Sequence, residues 1–149
     1  DAPDGSGRGS AAFSGSAGSL ALAIVEGYFG VRLTGNGCTL EPRLAEDEAK
    51  VFFRLPAANA SAAYEYAWDP EALQVTFRYE SPTSGPGRIR LLLPKPLATA
   101  RLEVLRDGTP VPFAVERLQD DTFLALETDF ASHTLSVRGL NSSKGESDP

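Results

Sequence analysis

Glu26 is the residue that most invites a chemical reading. It is the one charged residue in the run AGSLALAIVEGYF, residues 17–29. A carboxylate in so apolar a setting must be paired or protonated, because an unpaired buried charge is costly. Protonated, with a raised pKa, it is a candidate catalytic acid. Paired, it is a structural partner for a cation such as Arg32 or Arg43. Its place near the C-terminal end of the run favours pairing.

Cys38 and His133 are each the only residue of their type. A thiol and an imidazole can make a nucleophile and base, but nothing around either resembles a nucleophile motif. A lone cysteine forms no internal disulfide, and the two together cannot complete a Cys/His zinc site. The bland readings are a small buried thiol and a hydrogen-bonded strand histidine. Asp69, Asp107, Asp120 and Asp121 fall where turns are expected, and aspartate is chosen there for local backbone hydrogen bonds. No EF-hand spacing is present, and the sequence calls for no metal and no cofactor.

Tyr64, Tyr66 and Trp68 alternate along one stretch, with Phe77 and Tyr79 on the next. The first three share parity, so in a strand they point to one side. Such a row either stacks on sugar rings or fills a core or docking face. The core or docking role is favoured, because aromatics dominate buried areas.

These groups must be positioned by a chain of 149 residues, enough for one domain with a core of its own. The net charge is −6, and the basic residues are scattered singly. That excludes the clustered basic footprint of a nucleic-acid binder. The chain begins with Asp and holds no methionine, and is read as a processed product or an excerpt. Its compartment is unknown.

Residues 1–15 are a Gly/Ser-rich loop, and residues 141–149 form a polar tail expected to be disordered. Residues 16–30 form an apolar helix, with Ser14 or Ser16 as its N-cap and Gly30 as a left-handed C-cap. At roughly 20 Å it is too short to span a bilayer, so no membrane partner is expected. It has almost no polar face, which describes a helix buried on all sides within a larger protein.

From residue 31 to 140, Gly, Pro, Asn and Asp separate short runs rich in β-branched and aromatic residues. Strands are expected near 38–43, 49–55, 62–68, 72–79, 87–93, 100–106, 111–117, 122–127 and 132–138. In 72–79, Leu73, Val75, Phe77 and Tyr79 share one face. Asp107-Gly108 is a strong hairpin signal between two of the runs. About nine such strands with no intervening helix describe a mainly β chain: an antiparallel β-sandwich preceded by one apolar N-terminal helix.

Three stretches carry a family resemblance. Arg8-Gly9 precedes AFSGSAG at 12–18. AIVEGYFGVR follows at 23–32, and Leu40-Glu41-Pro42-Arg43-Leu44 comes after it. Together they resemble the end of an (α/α)6-barrel, or six-hairpin, glycoside hydrolase. In that family the last barrel helix carries an EGLFGI-type run, and an I-x-P-x-L-P-type strand then opens a C-terminal β-sandwich. The family's closing LP-x-x-W is absent here, where Leu44-Ala45-Glu46-Asp47 stands, so the subfamily and substrate stay open.

The resemblance implies a C-terminal, non-catalytic segment of a glycoside hydrolase. Its sandwich would pack on and stabilise an α-helical catalytic barrel, the missing partner of the helix. Carbohydrate would be that enzyme's substrate, and most catalytic residues would lie outside this chain, with Glu26 the one catalytic candidate within it. Asp4, Arg8 and Ser10 would then line a sugar cleft from the loop before the helix. The alternative is a free-standing β-sandwich carbohydrate-binding or adhesion module, using the face of Tyr64, Tyr66 and Trp68.

Overall fold

The structure, a computed structural model, describes residues 15–34, 37–56, 59–82 and 86–140. The leader and the polar tail expected at the two ends lie outside the described residues, as do Asp4, Arg8, Ser10 and Ser14. The chain enters as helix α1 (Gly15–Leu22), which widens into a π-helical stretch over Ala23–Tyr28. The Phe29 N–H donates to the Ile24 carbonyl at 3.0 Å, five residues back, which is the π spacing. Ser16 stands inside the first turn, so it is not the cap.

Eleven strands follow among the described residues. They are β1 (Val31–Thr34), β2 (Gly37–Leu40), β3 (Ala49–Leu55), β4 (Ala60–Asp69), β5 (Gln74–Glu80), β6 (Gly87–Leu92), β7 (Arg101–Arg106), β8 (Thr109–Pro110), β9 (Ala114–Leu118), β10 (Asp121–Thr128) and β11 (His133–Leu140). One short helix, α2 (Lys95–Ala98), lies between β6 and β7. One sheet runs β1-β2-β6-β10-β9 and the other β3-β4-β5-β11-β7-β8. All pairs are antiparallel except β2 with β6.

The alternation read from the sequence is what closes the sandwich. Val75, Phe77 and Tyr79 of β5 are buried, while Arg78 and Glu80 face solvent. Ile89 and Leu91 of β6 and Leu124 and Leu126 of β10 meet them from the other sheet in one core. Asp107 and Gly108 sit at φ 51° and 80°, and Arg106 pairs with Thr109. That is the two-residue turn with both φ positive that the Asp-Gly pair favours. At the β4–β5 turn, Asp69 accepts from the Glu71 and Ala72 N–H groups, both at 3.0 Å.

Four expectations need correction. The strand expected over 38–43 ends at Leu40, because Pro42 has no N–H to give a ladder. The strand expected over 111–117 is β9, from Ala114 to Leu118. β1 and β8 are added strands, a four-residue run that pairs with β2 and a two-residue run that pairs with β7. A single helical turn, α2, stands where none was expected, with proline in its first turn.

Candidate functional site

The helix and the sandwich meet at a joint built mostly from backbone carbonyls. Gly30, at φ 66°, turns the chain from helix into β1. Its carbonyl accepts from the Glu41 N–H at 2.7 Å, and the Tyr28 carbonyl accepts from the Arg43 N–H at 3.0 Å. The buried Tyr64 hydroxyl donates to the Phe29 carbonyl at 2.8 Å. Three consecutive carbonyls at the helix end are thus taken by groups of the sandwich. The Tyr28 hydroxyl donates to Asp47 at 2.7 Å, and this bond holds its pKa above the ordinary value. Val25 and Phe29 pack against the core.

The rest of the helix surface has no cover among the described residues. Leu20 is 63%, Leu22 56%, Ile24 44% and Tyr28 41% exposed. Glu26 lies beside this apolar surface and ion-pairs with Arg32 at 3.5 Å. Both side chains are about half exposed, so the buried setting inferred for Glu26 is not present among the described residues. Of its two expected partners, Arg32 takes it, while Arg43 pairs with Glu41 at 3.5 Å.

Tyr64 and Tyr66 point into the core, each 2% exposed, and Trp68 is partly buried against it. Tyr66 donates to the Ala45 carbonyl at 2.6 Å. Burial lifts both tyrosine pKa values well above normal. This corrects the sugar-stacking reading of the row: two of its three rings have no open face, because the inner side of β4 is the sandwich interior.

Cys38 is buried on β2, and burial pushes its thiol up to about 12, so it stays a protonated, inert thiol. His133 lies on β11 of the other sheet. The chain therefore gives no thiolate for an imidazole to serve. Among the described residues no group of His, Cys, Asp and Glu is arranged to hold a metal ion. No helix among them is long and apolar enough to cross a membrane.

Two polar clusters were not legible in the sequence. On the outer face of the five-stranded sheet, Arg90 lies 3.6 Å over the Phe123 ring. It bonds Glu116 at 2.8 Å on one side and Glu41 on the other. Arg88 reaches Glu116 at 2.6 Å. Arg90, foremost, and Arg88 hold the Glu116 carboxyl below the usual range. The arginine stem and guanidinium cover an outward-facing phenylalanine that is only 1% exposed.

The second cluster ties the β7–β8 turn to the β10–β11 loop. His133 Nδ1 lies 2.5 Å from Asp107 and Nε2 lies 2.7 Å from Asp129. Ionised carboxylates only accept, so both ring nitrogens must carry hydrogen, which makes the ring an imidazolium. Burial opposes that charge, but the bonds to Asp129 and Asp107 outweigh it and raise the His133 pKa. The Thr134 N–H and His133 lower Asp107, and His133 and the Ala131 N–H lower Asp129.

The pH dependence follows from these signs. A raised histidine pKa gives stability that is full below its ordinary 6.5 and fades as pH rises through the folded value. Lowered aspartate values give stability that is present above 3.8 and is lost as pH falls. The melting temperature of the chain should therefore decline from slightly acid to slightly alkaline pH. His133→Gln should flatten that decline. Parallel melting profiles for the two proteins would show that the cluster adds no pH-linked stability.

No protein-family model and no curated protein matches this chain. Solved structures do. An α-L-rhamnosidase from Dictyoglumus thermophilum is 14% identical, with a TM-score of 0.56 over 74% of this chain and 12% of that one. A GH127 β-L-arabinofuranosidase from Geobacillus stearothermophilus T6 is 12% identical, with a TM-score of 0.51 over 82% of this chain and 18% of that one. The chain thus spans less than a fifth of either enzyme's length. Its strand-rich, two-sheet fold is one that glycosidases carry as a small part of a much larger chain.

Proposed function

We propose that this chain is the C-terminal, non-catalytic segment of a six-hairpin glycoside hydrolase. Its sandwich packs on an α-helical catalytic barrel, and α1 with its π-helical extension is the last helix of that barrel. The observation that carries the reading is the apolar helix surface of Leu20, Leu22, Ile24 and Tyr28, open to solvent yet locked at one end to the sandwich. A helix this short, holding Gly15, Gly18 and Gly27, is marginal by itself in water. Burying a leucine or isoleucine fully is worth about 1.5–3 kcal/mol each, so a covering partner would add several kcal/mol.

In this reading the catalytic carboxylates belong to the barrel, and Asp4, Arg8 and Ser10 border its sugar cleft. Glu26 is a structural residue that, with Arg32, ends the helix at the joint. Its open ion pair favours that role over a catalytic acid, which needs a dry pocket to raise its pKa. The alternative, a free-standing carbohydrate-binding or adhesion module, loses the aromatic face it would have used.

The test is the solution state of the chain alone, by analytical ultracentrifugation. The expected result is concentration-dependent self-association through the helix, abolished by Leu20→Glu with Ile24→Glu. Coding sequence upstream of Asp1 should specify helical hairpins with carboxylate-bearing loops. A monomer at all concentrations, with no such hairpins upstream, would overturn the proposal.

A further inference from the structure

The outer face of the six-stranded sheet carries a feature that the barrel-docking role does not use. β3 alternates cleanly: Ala49, Val51, Phe53 and Leu55 turn inward, while Lys50, Phe52 and Arg54 turn outward. Phe52 is 72% exposed, the most exposed large apolar side chain among the described residues. An edge strand ordinarily keeps charge on that side to avoid pairing with another chain. A phenylalanine there, between Lys50 and Arg54, needs a reason.

Register supplies the surroundings. Phe52 pairs with Ala63, and Ala63 with Glu80. Ser132 stands just before His133, which pairs with Tyr79, so it continues the same row. Two adjoining cavities of about 440 Å³ and 360 Å³ share this row of Phe52, Ala63, Glu80 and Ser132. Ala63 and Ser132 are small, so a trough crosses β3, β4 and β5 with the phenylalanine ring at one end. No residue of the helix lines either cavity.

The polar groups beside the trough are held in place. Glu65 bonds Lys50 on one side and Arg78, at 3.4 Å, on the other. Lysine has three donors and arginine five, so both keep hydrogens to offer a ligand. The Glu80 side chain has no hydrogen bond or ion pair among the described residues and offers an acceptor. Lys50 and Arg78 balance Glu65 and Glu80, so the lining suits neither a polyanion nor a polycation. A ring to stack on, with donors and an acceptor beside it, suits a ligand with an apolar face and neutral hydroxyls.

We propose that this trough binds a neutral oligosaccharide, with one sugar ring stacked on Phe52 and hydroxyls on Lys50, Arg78 and Glu80. It would hold glycan on a face that no residue of the helix lines. The choice of saccharide over other uncharged ligands rests on the glycosidase reading above.

The experiment is titration of the full chain, by calorimetry, with maltotetraose, cellotetraose, xylotetraose and an arabinan tetrasaccharide, with heparin as the charged control. At least one neutral saccharide should bind saturably. Phe52→Ala should weaken that binding about tenfold or more. Ala63→Trp, which fills the trough from its floor, should abolish it. Both positions face solvent or the cavity, so melting should be unchanged, and this separates lost binding from lost folding. Binding of heparin alone, or of none of the five, would overturn the site, as would full binding by both variants. The helix variants Leu20→Glu with Ile24→Glu separate the two proposals. If they become monomeric and bind no sugar, only the trough fails. If the unaltered chain is monomeric and no hairpins lie upstream, yet it binds through Phe52, only the barrel reading fails.

Discussion

Replacing Gly30 with alanine is expected to lower the melting temperature by about 10 °C. Gly30 has φ 66°, a region that costs an L residue roughly 1 kcal/mol by itself. The added Cβ would also meet the Glu41 carbonyl oxygen at 1.9 Å and the Pro42 nitrogen at 2.6 Å. These are backbone atoms, and the Glu41 N–H is bonded to the Gly30 carbonyl itself. Neither side can retreat without losing that bond, so about 3–4 kcal/mol is expected in all. Gly108 is the control. It has φ 80° but nothing within 4 Å of its missing Cβ, so alanine there should cost only about 1 kcal/mol. Equal losses at the two sites, in thermal melts followed by circular dichroism, would refute the role given to the close approach.

Phe77→Ala should destabilise the chain by about 3–5 kcal/mol, read as a fall in the urea midpoint at unchanged slope. Phe77 is fully buried on β5. Its ring centroid lies 5.2 Å from Tyr64, 6.3 Å from Tyr66 and 5.6 Å from Tyr79. The two β4 tyrosines use their hydroxyls to hold Phe29 and Ala45, so the surrounding rings cannot collapse freely into the space. That is the condition under which a cavity stays open and costly. Phe77→Leu should cost less than half as much. A loss under about 1 kcal/mol for the alanine would mean that the two sheets do not close on this residue.

Much of this architecture is legible in the sequence, because its signals are local. Period-two alternation marks β5, and Asp107-Gly108 marks a turn that only a few residue types make. The same parity places Tyr64, Tyr66 and Trp68 on one side of β4, but parity does not say which side is interior. That depends on which strands pair and on the strands of the other sheet that complete the interior, among them β1. β1 is only four residues long, too short for alternation to declare it, though Gly35-Asn36 between two short apolar runs is a hairpin signal.

The candidate site was less legible. Glu41, Arg90 and Glu116 are separated by 49 and 26 residues, and Asp107 and His133 by 26. Sequence spacing carries no trace of such contacts until register is known. The apolar context in the sequence singles out Glu26, whereas the described residues leave it beside solvent and Arg32. The resemblance in residues 8–44 points to glycosidases, and two glycosidases are among the solved structures that share the fold.

The three captured carbonyls of Tyr28, Phe29 and Gly30 also index the helix rotationally. Each α-helical residue advances the azimuth by about 100°. Because the joint clasps three successive residues with no slack, inserting one residue ahead of Tyr28 would swing Leu20 and Leu22 away from the direction they now face. Inserting one after Gly30 would instead put the clasp out of phase. The junction is therefore a stretch in which side chains can drift but length cannot, and alignments of related chains should be free of gaps between Leu20 and Val31.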